Sequence, residues 1–97
     1  RMKMSEILAP LREEIDALDQ EIIALLGKRM KIVHRVATIK QRENIPVVIP
    51  ERIEAVLRQA ETWATAHDFD PAIARQIYEI LIDHACKTEE AFLSKSA

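Results

Sequence analysis

From Ser5 to about Glu43 the chain carries one row of residues that alternates in steps of three and four. Leu8, Leu11, Ile15, Leu18, Ile22, Leu25, Arg29, Ile32, Val36 and Ile39 form the row, and nine of these ten are apolar. A repeat averaging 3.5 residues keeps one stripe of a helix facing one direction for several heptads. Pro10 reads as a tolerated first-turn residue, and Gly27 costs about 1 kcal/mol relative to alanine. The segment is therefore predicted as a single helix, on the order of 55 Å long at 1.5 Å per residue. A compact domain of 97 residues is much narrower. A second chain must then cover part of the helix, which also suits a chain near the size where a lone core becomes marginal.

The rest of the chain reads as two shorter helices. Asn44 to Ile49 contains Ile45, Pro46 and a β-branched run, and its Asn and Pro mark it as a connection, either a mobile lid or a packed loop. Pro50 suits a first helical turn, and Ile53, Val56, Leu57, Ala60 and Ala64 share one face up to about His67 and Asp68. Asp70 followed by Pro71 is an N-cap and first-turn pair that opens a third helix to about Ser94. Along it, Tyr78, Ile82, Ala85, Glu89 and Phe92 make a stripe with one charged member, Glu89. The reading is all-α: one domain over residues 1–97, with a three-helix subunit, a very long first helix and a homodimer.

Composition supports this and removes several functions. One glycine, four aromatic residues, 48% apolar and 31% charged residues describe a helical protein. The net charge of −2 comes from interleaved acids and bases, without the basic stripe of a nucleic-acid binder. Cys86 is the only cysteine, so no intrachain disulfide or zinc pattern forms. His34, His67 and His84 have no shared metal spacing, and there is no phosphate-cradling glycine loop or nucleophile triad. No membrane span is visible, and a cytoplasmic location without cofactor or metal is expected.

What remains are charges in apolar rows. Arg29 sits in the seam, where an unpaired guanidinium is costly, so it either sets register in a coiled coil or faces an anion. Lys40 lies eleven residues on, close to three turns, and is either a solvated residue near a helix end or a partner to Arg29 in bracketing a small dianion. Arg12 is about 25 Å from Arg29 along one helix, too far to serve the same ligand except from an antiparallel partner chain. Glu89 is either exposed near the terminus or a buried carboxyl with a cationic partner or a proton of its own. These are cations and one odd carboxylate, with no nucleophile among them.

The strings Leu11-Arg12-Glu13-Glu14-Ile15-Asp16-Ala17-Leu18-Asp19, Leu25-Leu26-Gly27-Lys28-Arg29 and Ile39-Lys40 resemble the opening helix of the all-helical chorismate mutases. The resemblance continues through Pro50-Glu51-Arg52 and the third helix. It implies an intertwined dimer with two equivalent sites for a dicarboxylate. In such a site Arg12 enters from the other subunit, while Arg29 and Lys40 come from the same chain. The resemblance further assigns Glu51 to the substrate's C4 hydroxyl and Glu89 to its ether oxygen, and places Val36, Ile82 and Ala85 among the substrate-binding positions. Catalysis is expected from Lys40, Glu89 and Arg29.

Two departures from the family pattern are visible: Glu89 where many bacterial members have Gln, and Ala85 where some have Ser. With a short loop before Glu51 and with Gly27-x-Arg29-Met30, Ile45-Pro46, Pro50-Glu51-Arg52 and Trp63-Ala64, they resemble the branch that contains isochorismate-pyruvate lyase. Chorismate mutase is the expected activity, with the lyase and an amino-deoxychorismate mutase as alternatives. A non-catalytic helical dimerisation module is the reading from another class.

Overall fold

The structure, a computed structural model, describes residues 1–96. Those residues form three α-helices and no strand: α1 spans Met4–Glu43, α2 Pro50–Ala66 and α3 Pro71–Ser96. The all-helical reading holds, and the helix ends fall within two residues of the sequence-based ones. One detail is corrected. Because α1 begins at Met4, Pro10 lies in the second turn rather than the first. Its missing N–H leaves a carbonyl without its helical donor, which is tolerable because Pro10 and Glu6 are both exposed to water.

Each helix end has a local cause. Asn44 and Asp68 both adopt the left-handed conformation, each with φ of 56°. The Ile45 N–H then donates back to the Lys40 carbonyl at 2.9 Å, and the Phe69 N–H to the Ala64 carbonyl at 2.8 Å. Both are the six-to-one bond of a Schellman cap, which satisfies carbonyls left over at a helix end. Before α2, Ile49 is extended, as a residue preceding proline tends to be. Before α3, Asp70 Oδ1 accepts from the Ala72 N–H at 2.9 Å, the expected N-cap.

The chain divides into two compact units, Arg1–Ile32 and the remainder from Val33. The first is the N-terminal part of α1, where Leu11, Ile15, Leu18, Ile22 and Leu25 are all exposed. In the second, α2 packs against α3. Leu57, Ala60 and Ala64 are buried on α2 and Ala85 on α3, as the stripes predict, and Ala74 on α3 joins them although the stripe did not include it. The buried set is mostly alanine, whose small side chains let helix backbones approach closely. Arg75 on α3 adds a polar clasp, donating to Glu61 at 2.7 Å and to Glu54 at 3.2 Å on α2.

Candidate active site

Two of the sequence-predicted residues meet inside the second unit. Lys40 Nζ stands 2.7 Å from Glu89 Oε1, with side-chain exposures of 13% and 7%. Both bland readings are thereby removed: Lys40 is not a solvated end-of-helix lysine, and Glu89 is not exposed. Ala37, one turn before Lys40, is fully buried. Ala85, one turn before Glu89, is buried as well, so both charges grow from packed helix surfaces. The same ammonium donates to the Val47 carbonyl at 2.8 Å, tying it to the connection between α1 and α2.

The contact between Lys40 and Glu89 balances charge without completing the carboxylate's hydrogen bonding. Among the described residues, Glu89 Oε1 is a buried oxygen with no hydrogen-bond partner, because the approach of the ammonium has the distance but not the angle of such a bond. A buried polar atom in that condition is costly and calls for an explanation, and at a functional site a polar ligand atom is one. Here the pair presents an ammonium and a carboxyl to the same small volume.

The other predicted residues are placed as follows. Arg12 is exposed and Arg29 half-buried, both on the part of α1 in the first unit. Val36 is on the margin of exposure at 37% and Ile82 is half-buried. Glu51 is exposed in the first turn of α2. A groove of about 500 Å³ lies against α2 and α3 with Val48, Ile53, Leu57, Ile82 and Cys86 on its apolar side. Neither Lys40 nor Glu89 lines it. Of the predicted substrate-binding residues only Ile82 faces this groove, so the ion pair rather than the groove marks the candidate site.

The Arg75 clasp was not singled out by sequence reasoning, and Cys86 was read only as a lone cysteine with neither a disulfide nor a zinc partner. Burial, and next the Glu89 carboxylate, push the Cys86 thiol up from its ordinary value, which keeps it a neutral lining group rather than a nucleophile. Arg58 and then Arg75 hold the Glu54 carboxyl below its usual value by hydrogen bonding. No group of three or more His, Cys, Asp or Glu among the described residues is placed to hold a metal ion. No described helix is long and apolar enough to cross a membrane.

The comparison with known families then gives a direct match: residues 11–90 fit the chorismate mutase type II family. The chain belongs to that family. Its members match along nearly the whole chain as well as in parts. The chorismate mutase of Methanocaldococcus jannaschii is 31% identical over 93 residues, covering 96% of this chain and 94% of that protein. The 4-amino-4-deoxychorismate mutase of Streptomyces venezuelae is 29% identical over 90 residues, covering 93% and 87%. The bifunctional chorismate mutase/prephenate dehydratase of Escherichia coli is 30% identical over 88 residues, which is 91% of this chain and 23% of that longer one. Chorismate mutases are isomerases, and membership in the family makes this chain one of that enzyme class. Arg12, Arg29, Lys40, Glu51 and Glu89 all lie within the matched region.

Proposed function

We propose that this protein converts chorismate to prephenate, with Lys40 and Glu89 acting on the ether oxygen of the substrate. The buried contact between these two side chains carries the reading. The rearrangement is an intramolecular Claisen-type step in which one C–O bond breaks as one C–C bond forms, so no external nucleophile, proton or cofactor is consumed. The protein has to hold the reactive conformer and stabilise the negative charge that develops on the departing oxygen. The Lys40 ammonium, held in a water-poor volume, supplies that stabilisation. When the ether oxygen enters between the pair it accepts a hydrogen bond from Lys40, and Glu89, carrying a proton in that complex, donates a second.

The remaining roles rest on the family resemblance. Arg29 and Arg12 of the partner subunit grip the two carboxylates, Glu51 orients the C4 hydroxyl, and Val36, Ile82 and Ala85 shape the substrate site. The protein acts as a homodimer, with a second copy covering the exposed Leu11, Ile15, Leu18, Ile22 and Leu25. Placement in the cytoplasm and service to aromatic amino acid biosynthesis follow from this reading. The second reading, action on 4-amino-4-deoxychorismate, is favoured by the likeness to the Streptomyces venezuelae enzyme over nearly the same span.

Incubation of the purified protein with chorismate, 4-amino-4-deoxychorismate and isochorismate separately, followed by product identification, tests the proposal. Prephenate from chorismate at a higher kcat/KM than either competitor is expected. Preferential turnover of the amino compound would support the second reading, and salicylate with pyruvate from isochorismate would assign the lyase activity instead. Turnover of none of them, with no binding of a dicarboxylate transition-state mimic, would leave a dimerisation module.

A further inference from the structure

Lys40 is fixed at both of its ends by the same short turn. Its backbone carbonyl accepts the Ile45 N–H at 2.9 Å, and its ammonium donates to the Val47 carbonyl at 2.8 Å. Just before the first of these anchors stands Asn44, at φ of 56°, the residue whose left-handed conformation reverses the chain at the end of α1. A lysine near a helix end ordinarily samples many rotamers, because four torsions separate its ammonium from the backbone. Here the chain returns past its own helix end, and the Val47 carbonyl accepts from the same ammonium that meets Glu89.

We infer that Asn44 is a positioning residue: its left-handed turn places the Val47 carbonyl where it aims the Lys40 ammonium at Glu89. Glycine adopts the left-handed region freely, and asparagine is among the few other residues that enter it readily. Alanine resists it, and a β-branched residue resists it more. The turn therefore has a chemical requirement at residue 44 that is independent of any contact between the Asn44 side chain and substrate. The connection Asn44 to Ile49, read from sequence as either a lid or a packed loop, is on this account a strut for Lys40. Glu89 meets Lys40 from α3 through the ion pair, and Cys86, one turn away on α3, stays neutral, so Lys40 is the cation the strut directs.

The inference rests on the proposed role of Lys40, and the test separates the two. In the series Asn44→Gly, Asn44→Ala and Asn44→Val, kcat is expected to stay within about twofold of the parent for Gly. It should fall severalfold for Ala and about tenfold or more for Val, with KM nearly constant. In a Lys40→Ala background the same Asn44→Val change should cost less than twofold, because the group it positions is gone. A second readout does not depend on turnover. After reductive ¹³C-methylation, the Lys40 signal, assigned by its absence in Lys40→Arg, should move toward the position of exposed lysines in Asn44→Val and Asn44→Ala but not in Asn44→Gly. Should Asn44→Val fail to fold, Asn44→Ala carries both measurements. Equal kcat across the series, or an unmoved Lys40 signal in Ala and Val, would overturn the inference. Loss of the Lys40→Ala effect on turnover, with the signal still following residue 44, would instead overturn the catalytic role of Lys40 and leave the strut standing.

Discussion

The first unit and the second solve the problem of burying apolar surface in opposite ways. In the first, Leu11, Ile15, Leu18, Ile22 and Leu25 keep 53% to 61% of their surface exposed together, although they form a continuous seam. In the second, small residues do the packing: Ala60, Ala64, Ala74 and Ala85 are buried between two helices that approach closely. A seam of large side chains left open is suited to meeting another chain, since burial of each contributes about 1.5–3 kcal/mol. An alanine interface already closed within the chain gives a fixed frame, and the frame is where the Lys40 and Glu89 pair stands. The contrast separates what needs a partner from what the chain supplies alone.

The most damaging change to that contrast is predicted at the seam. Leu18→Glu combined with Ile22→Glu should weaken self-association by at least about 10⁴-fold, because in a dimer of identical chains the two changes remove four burials of the size just given. Sedimentation should show a species of 11.1 kDa where the parent is expected at twice that mass, and turnover should vanish if Arg12 of the partner subunit serves the site as proposed. A monomeric parent, or a fully active monomeric variant, would end the idea that the first unit awaits a second copy.

Next in size is the chemistry of the second unit. Lys40→Ala should lower kcat by about 10²–10³-fold, the usual cost of removing one donor to a developing oxyanion. Because it also strands the buried Glu89 carboxylate, stability should fall with it, whereas Lys40→Ala combined with Glu89→Gln should recover stability without recovering turnover. Full activity in that double variant would move the reaction elsewhere in the molecule.

Glu89→Gln alone sharpens the same point with a smaller effect. Gln keeps the shape of the side chain and an N–H donor while removing the charge that meets the Lys40 ammonium. If the site needs a donor at residue 89, kcat of Glu89→Gln should stay within about tenfold of the parent, whereas Glu89→Ala should lower it by about 10²–10³-fold. Equal losses in Gln and Ala would remove the donor role from Glu89.

Much of this organisation is legible in the sequence. The steps of three and four announced α1, Pro50 and Asp70-Pro71 announced the starts of α2 and α3, and Glu89 stood out because a carboxylate interrupted an apolar stripe. The spacing argument joined Lys40 to Arg29, while the contact the structure shows is between Lys40 and Glu89, on helices whose pairing no periodicity encodes. The Val47 carbonyl was invisible for a simpler reason: every residue has the same backbone oxygen, and only the turn at Asn44 makes this one special. Arg75 gave no signal either. Its partners Glu54 and Glu61 lie 21 and 14 residues away, so their meeting depends on the register of α2 against α3. Nor did the stripes say that alanines would be the buried members while Ile53 and Val56 stay half-exposed.

The clasp formed by Arg75 supplies the smallest predicted effect and tests whether the second unit holds itself together. Arg58 and Arg75 lower the folded-state pKa of Glu54 below its ordinary 4.5, so the native state binds the proton less readily than the unfolded chain. Its stabilising contribution is then fully present above the unfolded value and is lost as pH falls through the lowered folded value. Arg75 itself, raised by Glu61 first and then Glu54, keeps its charge throughout that range. Because these groups are largely exposed, water and salt screen them, and the effect should be small and shrink further at high ionic strength. Arg75→Met keeps much of the stem that packs along α3 while removing three ionic contacts, to Glu54, Glu61 and Glu79. The variant should melt slightly below the parent at neutral pH and low salt, and the gap should close on acidification through the Glu54 titration. A gap that persists unchanged at low pH would mean that Arg75 supports the α2 and α3 pair through the packing of its stem, and that the alanine contacts need no electrostatic help.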